Sequence, residues 1–404
     1  MLLVLHAPFR LRDGQIWWDS QACNGAEQWA DSFGFVIVAA PVIPEALAVQ
    51  NTTTVWRNTT TLDCPERFEF VPLPWAYSLP QFLQTYAQTR QQLAQLVRRC
   101  RYIQVAIGGL FGDWAAITVL EAHRQNRRCA VHADRVEHQV VLHVAQQAGW
   151  RKRLQAKAVS ALMARFERHV IQRGSLGLWH GQDCYAAYSP FCATSYVIHD
   201  VHIKPENSIS PEALHRKLAE VSQTSLLRIC YAGRIAPMKA PLDWVKALGQ
   251  ARSLGVEFRA TWFGDGNLKA EMQELIRELD LEDWIELYGF ERDQVKLLER
   301  MRQAHLMLFT HITPESPRCL VEALASGTPI VGYASAYTEE LTASLGGGTF
   351  VPLQDWQSLG QRLADLNGDR PRLMRLIRAA AANGARFNDR AVFQQRSQLI
   401  KQHL

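Results

Sequence analysis

The sequence predicts an α/β protein of two Rossmann-like domains facing a cleft, and three observations predict it. The chain has 404 residues, too many for one ordinary domain and well suited to two. Apolar runs of strand length alternate with amphipathic runs of helix length through the second half, and more roughly through the first. Between the halves lies Lys204-Pro-Glu-Asn-Ser-Ile-Ser-Pro211, a polar stretch of linker composition. The boundaries that follow are an N-terminal domain over 1–205, a linker or hinge over 206–225, a second domain over 226–385, and a C-terminal helix over 386–404. Packing of that helix back on the N-terminal domain is one option.

In the first half, residues 2–5, 35–39, 68–71, 102–106, 129–132 and 176–179 read as strands. Helices separate most of them, the longest over 80–98, and the Thr- and Asn-rich stretch 52–64 reads as a loop or an edge hairpin. A short helix over 212–221 is assigned to the hinge. The second half then runs strand 226–232, helix 242–254, strand 258–263, helix 268–279, strand 285–288 and helix 294–302. Strands at 305–309, 329–333 and 349–351 follow, with helical segments at 317–325, 337–344 and 356–366 among them. Right-handed crossovers turn such alternation into a parallel sheet covered on both faces, with ligands at the carboxyl ends of the strands.

Composition narrows the class. Hydrophobic residues make up 48% and charged residues 21%, the profile of a soluble globular chain. No apolar run reaches the ~18 residues of a membrane span, and the first residues lack the basic start of a signal peptide. Eight cysteines without CxxC pairs fit neither zinc spacing nor a disulfide scaffold, so a reducing, cytoplasmic setting is expected. The sequons at Asn51 and Asn58 would matter only in a secreted chain. A net charge of +5 is too small and diffuse for a nucleic-acid binder. One stretch, 150–173, holds seven basic residues and one acidic one, with apolar positions at helical spacing. Such a helix either lies on an anionic membrane surface, which would make the protein peripheral at its inner face, or packs on the domain with a solvated basic rim.

Three loops carry chemistry. In Thr310-His-Ile-Thr-Pro-Glu-Ser-Pro-Arg-Cys-Leu-Val-Glu-Ala-Leu-Ala-Ser-Gly327, Ser316 and Pro317 read as N-cap and first turn, and Gly327 closes the helix. The amides of Arg318, Cys319 and Leu320 would then face a phosphate. Glu315 stands where a carboxylate can accept from sugar hydroxyls, and Glu322 where it can reach a ribose. The bland alternative is an ordinary helix with a capping acid. The second loop, Gly233-Arg234-Ile-Ala-Pro-Met-Lys239, offers close backbone approach, a guanidinium fork and a point charge to a diphosphate, without a metal. The third, Gly264-Asp-Gly266, is a tight turn that fails the dinucleotide fingerprint, because Lys269 stands where its third glycine would be.

In order and spacing these residues resemble the retaining glycosyltransferase family 4, of GT-B fold. The matching features are Gly233, Arg234 and Lys239; Gly264 and Gly266; Tyr288-Gly289-Phe290; and Glu322-Ala-Leu-Ala-Ser-Gly327-Thr-Pro329, together spanning about residues 226–375. Asn24-Gly25-Ala26-Glu27-Gln28 is similar to the family's glycine loop entering the first helix. One departure is that six residues separate Glu315 from Glu322, one fewer than the family pattern, with Pro314 at the expected place. Either the loop is shorter or Glu315 is not the counterpart.

The resemblance implies a hexosyltransferase that passes a sugar, with retention, from a nucleoside-diphosphate-sugar to a glycan or lipid-linked acceptor, in polysaccharide or glycoconjugate biosynthesis. It implies no cofactor and no required metal. Gly25, Gly233, Arg234, Lys239, Arg318, Cys319 and Leu320 would hold the diphosphate, and Gly264, Gly266, Tyr288, Gly289 and Glu322 the nucleoside. Glu315 and His132, the latter at a strand end in Ala130-Val-His-Ala-Asp134, would meet the sugar, with Asp134 and His180 also near strand ends. The tryptophans of 13–22, Trp17 and Trp18, would stack on an acceptor or pack. A non-catalytic nucleotide-sugar-binding protein and a GT-B epimerase or phosphorylase are the alternatives.

Overall fold

The computed structural model describes every residue except 52, 53, 146–148 and 314, so Thr52 and Thr53 of the first sequon and Pro314 lie outside the described residues. The chain divides into two compact units, Met1–His202 with Asp389–Leu404, and Ile203–Asn388.

The strands of the first unit are β1 (Leu2–Val4), β2 (Arg10–Arg12), β3 (Gln15–Asp19), β4 (Val36–Pro41), β5 (Trp56–Asn58), β6 (Phe68–Leu73), β7 (Ile103–Ala106), β8 (Ala130–Ala133), β9 (Leu176–His180) and β10 (Ser195–Ile198). Seven of them form one sheet in the order β10-β9-β8-β7-β1-β4-β6, every pair parallel. Leu2 of β1 pairs with Ile37 on one side and Ile103 on the other, so β1 and β7 flank the point where the chain reverses its direction of winding. Strands β1, β4, β8 and β9 are buried along their whole length, which is why they read as continuous apolar runs.

The stretch that read as a loop or an edge hairpin contributes β5, which pairs antiparallel with β3; β3 in turn pairs with β2. In this small sheet Trp18 packs: it is buried, meets Phe9 edge-on at 5.6 Å, and donates its indole N–H to the Ala7 carbonyl at 2.9 Å. The first helix, Ser20–Phe33, is capped by Asp19, whose carboxylate accepts from the amides of Gln21 and Ala22. The last helix, Asp389–His403, belongs to this unit; Phe393 meets Trp29 edge-on at 5.1 Å and Lys401 donates to the Ser32 carbonyl at 2.7 Å.

The second unit contains β11 (Leu227–Ala232), β12 (Phe258–Phe263), β13 (Ile285–Gly289), β14 (Leu306–Phe309), β15 (Ile330–Tyr333) and β16 (Gly348–Val351), ordered β13-β12-β11-β14-β15-β16, all parallel. Its switch point lies between β11 and β14. The helix read as a hinge, Pro211–Gln223, is built into this unit. Lys217, Leu218 and Val221 are buried, and the Lys217 ammonium donates to the Thr328 hydroxyl at 2.8 Å.

Candidate functional site

The loops that leave β11 and β14 are laced together before any ligand is considered. The Thr310 hydroxyl donates to the Lys239 carbonyl at 2.9 Å, and the Ile312 amide to the Met238 carbonyl at 3.1 Å. The turn after β12 lies against the same loop. A Cβ on Gly264 would stand 2.0 Å from the Gly233 carbonyl oxygen, and one on Gly266 2.2 Å from that of Ile235. Both positions therefore require glycine, for closeness of two backbones. The Gly264 amide donates to the Gly289 carbonyl at 2.7 Å, which brings the end of β13 to the turn as well. Gly233, Arg234, Lys239, Gly264, Gly266 and Gly289 are thus brought together on one edge of the second unit.

At the centre stands Glu315. Its Oε1 is contacted by the Lys239 ammonium, by His311 Nδ1 at 2.9 Å and by the Thr313 hydroxyl at 3.3 Å. His311 Nε2 in turn faces the Tyr231 hydroxyl, and the Tyr231 ring lies 4.0 Å from that of Trp262. Burial and the Lys239 charge push the imidazole down to about 3 against the pull of Glu315, so it is neutral at ordinary pH. Its Nδ1 faces the Lys239 ammonium at 3.3 Å as well as Glu315, and its Nε2 faces the Tyr231 hydroxyl. Burial works to raise the Glu315 carboxyl, but the His311 hydrogen bond and the charge and hydrogen bond of Lys239 outweigh it and hold the acid at about 2. It is an anion inside a shell of donors. Arg234 is exposed and, among the described residues, has no carboxylate partner, so its fork is available to an anion.

The helix after β14 begins one residue later than the sequence indicated. Pro317 is its N-cap, no side chain caps it, and it runs Arg318–Ala325, so Ser316 is not the cap. Arg318, Cys319 and Leu320 occupy the first turn, and the Leu320 amide lies 3.2 Å from the Pro317 carbonyl. Glu322, on the same helix, accepts from Gln294 Nε2 at 3.1 Å. Tyr288 is half-exposed on edge strand β13; the Arg300 guanidinium lies 4.3 Å over its ring and donates to its hydroxyl at 3.0 Å, so its ring is engaged within the unit.

Gly25 is a correction. It lies inside the helix Ser20–Phe33 rather than in a loop, and a Cβ there would stand 3.2 Å from the Phe393 ring. The Asp19 cap starts the helix early, and the glycine serves close packing of two helices.

His132 stands at the carboxyl end of β8, buried, with Nδ1 at 2.8 Å from the Leu178 carbonyl and Nε2 at 2.6 Å from Asp134 Oδ1. Nearby, at the switch point of the first unit, are two residues that sequence reasoning missed. The buried Asp113 carboxylate accepts from the amides of Gly108 at 3.0 Å, Gly109 at 3.1 Å and Ala116 at 2.8 Å, and His6 Nε2 lies 3.4 Å from it. Burial opposes the charge on His6, but Asp113, with Glu137 and Asp134, raises its pKa. The pattern Gly108-Gly109-Leu-Phe-Gly112-Asp113 after a strand was the available signal. His180, at the end of β9, accepts from the Asp200 amide through Nδ1 at 3.0 Å. Among the described residues no three or more His, Cys, Asp or Glu side chains gather to hold a metal ion, and no helix is long and apolar enough to cross a membrane.

The class this architecture defines is a doubly wound α/β protein with an anion-ready switch point in its second unit. Residues 212–383 match the family model of glycosyl transferases group 1. The chain is 31% identical over 184 residues to the putative colanic acid biosynthesis glycosyltransferase WcaL of Salmonella typhimurium, covering 43% of this chain and 45% of that one. It is 26% identical over 200 residues to the amylovoran biosynthesis glycosyltransferase AmsK of Erwinia amylovora, covering 48% and 49%. The matched stretch thus spans less than half the length of either relative. In fold it is similar to Anabaena HepE in complex with UDP, with a TM-score of 0.67, 16% identity and 99% of both chains covered. It is similar also to sucrose-phosphate synthase from Thermosynechococcus elongatus, at 0.69 and 13%, over 99% of this chain and 98% of that one. The fold is GT-B.

Proposed function

We propose that the protein transfers a sugar, with retention of configuration, from a nucleoside-diphosphate-sugar to a glycan or lipid-linked acceptor in polysaccharide biosynthesis, as a member of glycosyltransferase family 4. The observation that carries this reading is the convergence of Arg234, Lys239, Glu315 and the uncapped start of helix Arg318–Ala325 at the β11/β14 switch point. The names of WcaL and AmsK, and the structures of HepE with UDP and with UDP-glucose, support it.

In this reading the bond between the anomeric carbon and the diphosphate breaks while the acceptor oxygen bonds the same face, and the acceptor proton passes to the departing diphosphate. Charge builds on that diphosphate, where Arg234, Lys239 and the first-turn amides of Arg318 and Cys319 stabilise it in place of a metal. Glu315 accepts a hydroxyl of the donor sugar, held in position by His311 and Lys239, and Glu322 accepts from the ribose. Gly264 and Gly266 hold their turn against the Arg234 loop, and Gly289, where a Cβ would meet open space, leaves the nucleoside room beside the backbone. His132 is the candidate in the first unit for meeting the sugar. The apolar and basic surface of helix Trp150–Ile171 would serve a peripheral membrane contact. The short spacing between the two glutamates motivated a non-catalytic alternative, but Glu315 lies on Lys239 despite it.

The test is calorimetric titration of the full chain with UDP, GDP and ADP in the presence of a chelator, followed by analysis of donor turnover. Tight binding of one of them is expected; binding of none would remove the proposal. Conversion of the donor without an acceptor to an isomeric sugar nucleotide would favour an epimerase.

A further inference from the structure

The first unit holds a second concavity, built from helices rather than from loops that follow strands. It is open to solvent, with a volume of about 760 Å³, and its lining includes His138, Tyr188, Phe191 and the exposed Arg165, Arg168 and His169. Three arginines of this unit are matched to acids: Arg57 to Glu27 at 2.9 Å, Arg67 to Asp31 at 3.2 Å and Arg90 to Glu121 at 2.9 Å. At the cavity they are not. Among the described residues neither Arg165 nor Arg168 has an ion pair or a hydrogen bond; Arg168 lies 4.9 Å over the Phe191 ring, which holds its guanidinium at the rim. The carboxylate between them in sequence, Glu167, is buried and already engaged. His138 Nδ1 lies 2.6 Å from its Oε2, and the Tyr188 hydroxyl donates to the same oxygen at 3.0 Å.

Two cations three residues apart on one helix repel each other, and an anion held between them reverses the sign of that interaction. Guanidinium forks match the oxygens of a phosphate. The same pair of helices, Glu137–Val144 and Trp150–Ile171, leaves Leu142 and Leu162 exposed, each within one turn of a residue that lines the cavity, so a phosphate carried on a lipid would find apolar surface near it.

We propose that this cavity binds a phosphate group, with Arg165 and Arg168 forking its oxygens and His169 beside them. The proposal does not rest on the sugar-transfer reading, because none of these residues belongs to the site in the second unit.

The experiment uses the full chain with excess UDP present. It titrates glycerol 3-phosphate by calorimetry and measures co-sedimentation with phosphatidylcholine vesicles lacking or containing phosphatidylglycerol. Saturable binding of glycerol 3-phosphate assigns the site to soluble phosphates, and binding only to phosphatidylglycerol vesicles assigns it to a lipid headgroup. In either case R165K/R168K, which keeps the charge and loses the forks, weakens binding about tenfold or more. A164F, which fills the cavity and leaves both arginines, does the same. Absence of binding to either probe, or wild-type binding by R165K/R168K or A164F, would overturn the proposal.

Discussion

The two units share a winding order and treat the same position oppositely. In each, the strand across the switch point is followed by a helix whose first amides form a natural anion hole. After β7 that hole is filled from within: Asp113 takes the amides of Gly108, Gly109 and Ala116. After β14 the helix is capped by Pro317 with no side-chain bond, while Arg234 and Lys239 stand on the neighbouring loop. One fold thus yields an aspartate-capped helix start in one unit and, in the other, a proline-capped start beside the Lys239–Glu315 pair and the exposed Arg234. The difference rests on which residue precedes the helix, an aspartate or a proline.

The largest expected effect breaks the second half of that comparison. Lys239→Ala removes the proposed diphosphate contact and releases Glu315, and should lower donor turnover by about two to three orders of magnitude; unchanged turnover would argue against the site. Next, Gly264→Ala forces a methyl into the Gly233 carbonyl. The second unit should lose more than about 2 kcal/mol, read from urea unfolding followed by Trp fluorescence. Equal stability would mean the two loops are not locked together.

A smaller effect sharpens the comparison from the other side. Asp113→Ala removes the cap and should cost about 1–2 kcal/mol. It should also make the first unit respond to sulfate, because three backbone donors lose their internal anion; a melting temperature rising with sulfate only in the variant is the expected result. If the variant and the wild type respond alike, the hole was never filled.

The smallest effect at neutral pH concerns His311. Its imidazole is held near 3 rather than 6.5, so the unfolded chain takes up a proton first as pH falls, and stability drops across that interval. Glu315, held near 2 rather than 4.5, adds stability above 4.5 that is lost as pH falls toward 2. Both act in one direction. His311→Phe should flatten the stability profile between about pH 6.5 and 3, where one such group contributes at most about 1.4 kcal/mol per pH unit. An unchanged slope would show that His311 is not buried neutral.

What could be read from the sequence follows from range. Strands buried on both faces announce themselves as apolar runs, and the loops carrying Gly233, Arg234, Lys239, Gly264 and Glu315 follow such runs directly. The helix start at Ser20 was misjudged because a capping Asp19 looks like any polar turn residue. The Ser316 cap was misjudged because serine before proline suits both the cap and the position before it. Tyr231, His311, His6 and Asp113 left little trace, since each gains its meaning from a partner distant in sequence. A lone histidine beside an apolar run carries no periodic signal.

The most direct test of the account is a crystal structure of the chain with UDP. The account predicts diphosphate oxygens within about 3 Å of the Arg234 and Lys239 side chains and of the Cys319 amide. A diphosphate bound at the Asp113 turn of the first unit, or clear of Arg234 and Lys239, would contradict it.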